Sequence, residues 1–190
     1  MKLRKLIPAV LLCAVLIISL TFMFSCKGGD HSYNDNYTAK ELADAIMNAY
    51  SPDELPEGGL NYLYSDADED SNNYLDDEFA GFLINGSFNP PEGFEYISDC
   101  AFYFPAGRNI FEVDVLKIKK EDENNLKALE ELLNNRLNRI KSSDVLIYTP
   151  EDKPLLDNAK IMTFGNYVVF LATTDNSKAE QVISDMLKSN

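Results

Sequence analysis

Apolar positions recur along this chain with two different periods, and each change of period marks a new element. Thr38 followed by Glu41 has the form of a capping box, and Leu42, Ala43, Ile46, Ala49 and Tyr50 continue at helical spacing. A first helix over residues 39–50 is predicted. Ser51-Pro52 and Leu55-Pro56-Glu57-Gly58-Gly59 break it, and residues 60–88 show no sustained period beyond a short helical stretch over Leu75–Leu83. The turn segments Asn85-Gly86 and Asn89-Pro90-Pro91-Glu92-Gly93 follow. From Phe94 the period shortens to two. Phe94–Phe104 is aromatic and β-favouring, and beyond Pro105-Ala106-Gly107 a second strand runs over Ile110–Ile118. There Phe111, Val113 and Val115 alternate with Glu112 and Asp114, which predicts one face in the core and the acidic face in water. The two strands are expected to pair as a hairpin.

Residues 121–141 return to the helical period, with Leu126, Leu129, Leu133, Leu137 and Ile140 on one stripe. Acids at Glu121, Asp122 and Glu123 and bases at Arg136, Arg139 and Lys141 match the helix dipole at its two ends. Asp144–Tyr148 reads as a short strand. Lys160–Phe164 and Tyr167–Ala172 form a second hairpin across Gly165-Asn166, a Gly-first turn suited to type II′. The second of these strands is apolar at nearly every position, so it should lie inside the sheet with both faces covered. Ser177 and Glu180 repeat the capping-box pattern ahead of Val182, Ile183, Met186 and Leu187, which predicts a last helix. The fold class is therefore α+β: a mainly antiparallel sheet of about four to five strands, strand-strand-helix units packed on it, and a helix in front.

The start of the chain follows another rule. Lys2, Arg4 and Lys5 precede Leu6–Phe24, an apolar run interrupted only by Pro8, Ser19 and Thr21, which is the layout of an export signal. Met23-Phe24-Ser25-Cys26 resembles the bacterial lipobox, with a small residue immediately before the cysteine that receives the lipid. Met23 and Phe24 depart from the usual leucine and small residue of that motif. Residues 1–25 are read as a lipoprotein signal peptide, residues 26–37 as a flexible tether from lipidated Cys26, and residues 38–190 as one folded domain. An uncleaved transmembrane helix is the alternative, because nineteen residues is close to a bilayer span. Either reading places the domain on the extracytoplasmic side of the cell membrane.

Charge narrows the partners. Removing Lys2, Arg4 and Lys5 leaves 14 of the 17 basic residues against 31 acidic ones, a net charge of about −17. Such a surface repels nucleic acid and anionic lipid head groups and admits a cationic partner or calcium. Of the three cysteines, Cys13 lies in the signal and Cys26 at the anchor, so Cys100 has no partner for an intramolecular disulfide.

The chain is similar to a family of small uncharacterised bacterial lipoproteins found mostly among Gram-positive anaerobes. The likeness is carried by the lipobox, the helix after Thr38, the run Ile110–Ile118, the helix over residues 121–141, and Asn158-Ala159-Lys160-Ile161 leading into Phe164-Gly165-Asn166-Tyr167-Val168-Val169. It implies an extracytoplasmic location and supplies no activity.

No catalytic constellation emerges. His31, in the tether, is the only histidine, which leaves a nucleophilic Cys100, a serine triad and a zinc site without an imidazole. One cation motif exists. Asp66, Asp68, Asp70, Asn72 through its carbonyl and Asp77 occupy positions one, three, five, seven and twelve of an EF-hand-like count for calcium. Ser71 stands where that loop turns on glycine, and a solvated acidic loop is the competing reading. Tyr62, Tyr64 and Tyr74 either line a groove there or pack beneath the loop. The functional expectation is a lipid-anchored domain of the cell envelope that binds a protein or small ligand without catalysis. A carboxylate-dependent hydrolase and a calcium-dependent surface module are the alternatives.

Overall fold

Helix caps and strand alternation place most elements where the pattern expects them. A computed structural model describes residues 33–120, 122–143 and 149–188. The signal segment, Cys26, tether residues 26–32 and the expected strand Asp144–Tyr148 lie outside the described residues.

Helix α1 (Ala39–Met47) begins with the capping box: Thr38 Oγ1 accepts from the Glu41 N–H at 3.1 Å and Glu41 returns a carboxylate oxygen to the Thr38 N–H at 2.8 Å. It is shorter than expected. Tyr50 lies beyond its end, buried edge-on against Phe111 with its hydroxyl 2.8 Å from that of Thr173. Strand β1 (Leu60–Tyr64) was hidden in the aperiodic stretch and pairs antiparallel with β2 (Ile97–Pro105). Helix α2 (Asp77–Asn85) starts on Asp76, whose carboxylate accepts from the Phe79 N–H at 2.6 Å. Phe94–Tyr96 forms a 3₁₀ turn in front of β2 rather than its first residues. The expected hairpin joins β2 to β3 (Glu112–Ile118), and α3 (Glu123–Ser142) follows.

A short helix α4 (Lys153–Asp157) leads to β4 (Lys160–Phe164), and β5 (Tyr167–Ala172) returns beside it. Gly165 has φ 55° while, among the described residues, none other than glycine has positive φ, so Asn166 does not. That combination is the type II′ pattern expected of the turn. A Cβ on Gly165 would also lie 2.7 Å from Cβ of Tyr33, so glycine is required there on two counts. Helix α5 (Asn176–Leu187) begins one residue before Ser177. Its cap is Asp175, whose carboxylate accepts from the Ser177 N–H at 3.0 Å, in place of the expected Ser177 box.

The five strands form one antiparallel sheet in the order β1-β2-β3-β5-β4. Every residue of β5 is buried, as its unbroken apolar run predicted. Helices α1 and α5 cover one face, where Leu42, Ile46, Ile183 and Leu187 meet Tyr103, Val113, Val115 and Val169. Helices α2 and α3 cover the other, where Leu83, Leu129 and Leu133 meet Phe102, Leu116, Val168 and Phe170. The described residues from Tyr33 onward fall in a single compact unit.

This second layer overturns one expectation. Glu112 and Asp114 do not face water: both are buried beneath α3. Arg136, assigned above to the helix dipole, is also buried, and it forms the ion pair that accompanies them. A strand alternating apolar with acidic residues has two faces, and here a helix bearing a counter-charge closes over the acidic one.

Candidate functional site

Two places in the domain gather polar groups away from ordinary surface. One is an open pocket beside β2. The other is the buried acid pair beneath α3.

The pocket measures about 600 Å³ and lies between the start of β2, the first residues of α2 and the Pro90–Glu95 turn. Its position follows from local signals. Gly93 has φ 92°, which sends the Pro-Pro segment back toward β2, and the Gly93 N–H is held by the Glu95 carboxylate at 3.0 Å. Lys119, just past β3, donates from Nζ to the Glu95 carbonyl at 2.8 Å. Ser65, just past β1, accepts the Cys100 N–H at 2.9 Å and fixes the opposite wall. Leu75, Phe94, Ile97 and Cys100 supply buried apolar lining.

Five carboxylates and one lysine also line the pocket. Two of the acids are engaged: Glu95 as above, and Asp99 by the N–H of Ala39 and the hydroxyl of Ser98. The side chains of Asp66, Asp77 and Glu92 form no hydrogen bond or ion pair among the described residues, although Asp66 acts on Lys40 at longer range. With five acids against Lys119, the pocket wall carries net negative charge beside an apolar floor. Cys100 is no nucleophile here. Burial pushes its thiol up to about 12, against the smaller opposing effect of the Ser65 hydroxyl.

The acidic loop has acquired a second role. Its Asn73 carbonyl accepts the Tyr64 N–H at 3.0 Å, its Asn73 amide donates to the Tyr62 carbonyl, and the Leu75 N–H reaches the Tyr64 carbonyl at 3.2 Å. The loop is thus stapled to the outer edge of β1, which protects that edge from pairing with another chain. Of the five proposed calcium ligands, Asp66 and Asp77 come together at the pocket. Asp68 instead turns the loop, accepting the Asp70 N–H at 3.1 Å, and Asp70 and Asn72 lie on its exposed surface away from the pocket lining. Among the described residues, no three His, Cys, Asp or Glu side chains are grouped closely enough to hold a metal ion. Of the tyrosines, Tyr74 lines the pocket, whereas Tyr62 packs edge-on against Tyr103 at 4.8 Å and Tyr64 lies under the Lys40 ammonium at 4.9 Å.

The buried pair lies in the middle of the sheet, and sequence reasoning missed it. Arg136 binds Glu112 through two nitrogens, at 2.5 and 2.9 Å, and donates to the Leu83 carbonyl at 3.0 Å, so one guanidinium joins β3, α3 and α2. Asp114, two residues along β3, is wholly enclosed. Burial raises its pKa well above the usual aspartate value, Glu112 raises it further, and Arg136 opposes the shift. A signal for the cluster did exist: Arg136 sits three residues after Leu133 and seven after Leu129, on the apolar stripe of α3.

All three charged residues fall inside one recognisable segment. Residues 95–173 match DUF4358, a domain of unknown function. The DUF4358 segment takes in β2, β3, α3, α4, β4 and β5, together with the stretches from Ile110 to Val169 that carried the family likeness noted above. It contains the β2 side of the pocket, while Asp66, Tyr74, Asp77 and Glu92 come from residues before it. No curated protein and no solved structure matches the chain.

Proposed function

We propose that this chain is an extracytoplasmic lipoprotein, anchored through Cys26, whose folded domain binds a small cationic ligand without catalysing its conversion. The observation that carries the binding role is the pocket. Its volume of about 600 Å³ is that of a small-molecule site, and its apolar floor beside net negative charge suits an organic amine. The charged end would sit against Asp66, Asp77 and Glu92 while the carbon chain lies on Tyr74 and Phe94. An anionic ligand would meet repulsion from the same groups and from the net charge of the domain. A non-catalytic reading is favoured because the Cys100 thiol is held protonated and the strongly perturbed Asp114 is closed off from the pocket.

Spermidine is a suitable probe. At millimolar concentration it is expected to raise the melting temperature, and Asp66→Asn with Asp77→Asn should abolish the rise. Asp53→Asn with Glu57→Gln, which removes the same charge away from the pocket, should leave it intact. Equal loss in both double variants would reduce the effect to general charge screening and sink the proposed site. A rise with calcium but not spermidine, lost with Asp66 and Asp77, would turn the reading to a calcium module.

The anchor is supported by the basic start, the apolar run, Ser25-Cys26 and the polar tether. Among the described residues no helix is long and apolar enough to cross a membrane. Mass spectrometry of protein extracted from membranes is expected to find a chain beginning at acylated Cys26. An intact Met1 terminus would remove the lipid anchor from the proposal.

A further inference from the structure

Glu112 and Asp114 stand two residues apart on β3 and point to the same face, under α3. Opposite Asp114 in the sheet lie Phe102 on β2 and Phe170 on β5. Arg136 directs its hydrogen bonds to Glu112 and to the Leu83 carbonyl, and among the described residues no donor reaches either carboxyl oxygen of Asp114. An ionised carboxylate in that position would have lost its water and found no replacement. The Glu112 carboxyl on the same face also repels a charge on Asp114. Two enclosed carboxyl groups avoid that repulsion when one of them keeps a proton. Glu112 is the ionised partner, because Arg136 grips both of its oxygens.

We propose that Asp114 is a neutral carboxylic acid in the folded domain, and that its retained proton latches the α2–α3 layer to the sheet. Without it, two negative carboxylates share one guanidinium in a space lined by phenylalanine. Relief requires water, and water enters only if α3 lifts from β3. Arg136 would move with α3, breaking its tie to the Leu83 carbonyl and loosening α2 as well. The charged and titratable groups facing Asp114 are Glu112 on its own strand, Arg136 from α3 and the Cys100 thiol on β2. β5 presents Phe170, and α2 reaches the cluster through the Leu83 carbonyl. Burial is the main reason that Asp114 holds its proton, with the Glu112 charge second and the opposing Arg136 charge insufficient to reverse it.

The proton can be observed directly. In the full chain carrying ¹³C at the aspartate carboxyl carbon, one signal is expected to keep the shift of an unionised acid at pH 7 after the exposed aspartates have ionised. Asp114→Asn should remove that signal. If every aspartate signal in the wild type has titrated by pH 7, the proposal is overturned, and this outcome needs no variant to fold. The latch is tested by amide hydrogen exchange of α3, comparing wild type with Asp114→Asn at pH 6 and pH 9. The asparagine amide supplies a donor that cannot ionise. Between those pH values α3 of the wild type is expected to lose about tenfold in protection relative to the variant, after correction for intrinsic exchange. Equal protection at both pH values would leave no latch.

Discussion

Arg136→Ala is expected to destabilise the domain by about 3–5 kcal/mol, as is typical when one partner of a buried ion pair is removed. The side chains of Arg136 and Glu112 are only 10% and 4% exposed, so solvent cannot substitute for the lost guanidinium. The variant leaves the Glu112 carboxylate buried beside Asp114 and frees the Leu83 carbonyl, so the penalty arises on β3 and α2 as well as α3. Urea denaturation followed by circular dichroism would measure the loss. A change below about 1 kcal/mol would place the pair among surface bridges in its energetics and contradict the burial argument. The reciprocal experiment is to replace the whole cluster, with Glu112→Leu, Asp114→Leu and Arg136→Met together. Exchanging a complete buried ionic group for apolar residues of similar size is often neutral or stabilising. The triple variant should therefore recover much of what the single variant loses, which identifies the uncompensated charge as the cause.

The second large effect is a dependence of stability on pH. In the unfolded chain the Asp114 carboxyl titrates near 3.8, whereas in the folded domain its pKa is raised well above that by burial, with Glu112 adding to the shift and Arg136 opposing it. Between these two values the folded state binds more protons than the unfolded state. The slope of unfolding free energy against pH is then negative, so this group lowers stability as pH rises through the window, by up to about 1.4 kcal/mol per pH unit. Asp114→Asn lacks the term. Its stability relative to wild type is expected to increase as pH rises above the unfolded value of 3.8 and to level off once wild-type Asp114 ionises in the folded state. Exposed acids such as Glu123 and Asp175, whose pKa values are lowered by Lys127 and by Ser177 respectively, act in the opposite direction at more acidic pH and are common to both proteins. The difference between the two curves therefore isolates Asp114. Parallel curves over that range would show that its proton is not linked to folding.

The pocket and the cluster share one structural element. Helix α2 contributes Asp77 to the pocket wall and the Leu83 carbonyl to Arg136. Both features therefore depend on how this short helix is held against α3 and the sheet.

Local chemistry in the sequence was sufficient to determine the α+β class, the Thr38 box, the Gly165-Asn166 turn, the enclosed strand over Tyr167–Ala172 and the apolar stripe of α3. Each is a matter of neighbouring residues within a turn or two, so no distant contact had to be known. Strand β1 was different: Leu60-Asn61-Tyr62-Leu63-Tyr64 has little alternation of its own and becomes a strand by pairing with β2 and being stapled by Asn73. The pocket was equally out of reach, since Asp66, Asp77, Glu92 and Asp99 are separated in sequence and meet only when β1, α2 and the Gly93 turn close around β2. The clearest limit is at Glu112 and Asp114. Alternation states that they share a face but not what covers that face, and only the docking of α3, with Arg136 on its buried stripe, made that face dry. Burial is a long-range property, and it turned two ordinary acids into an ion pair and a retained proton.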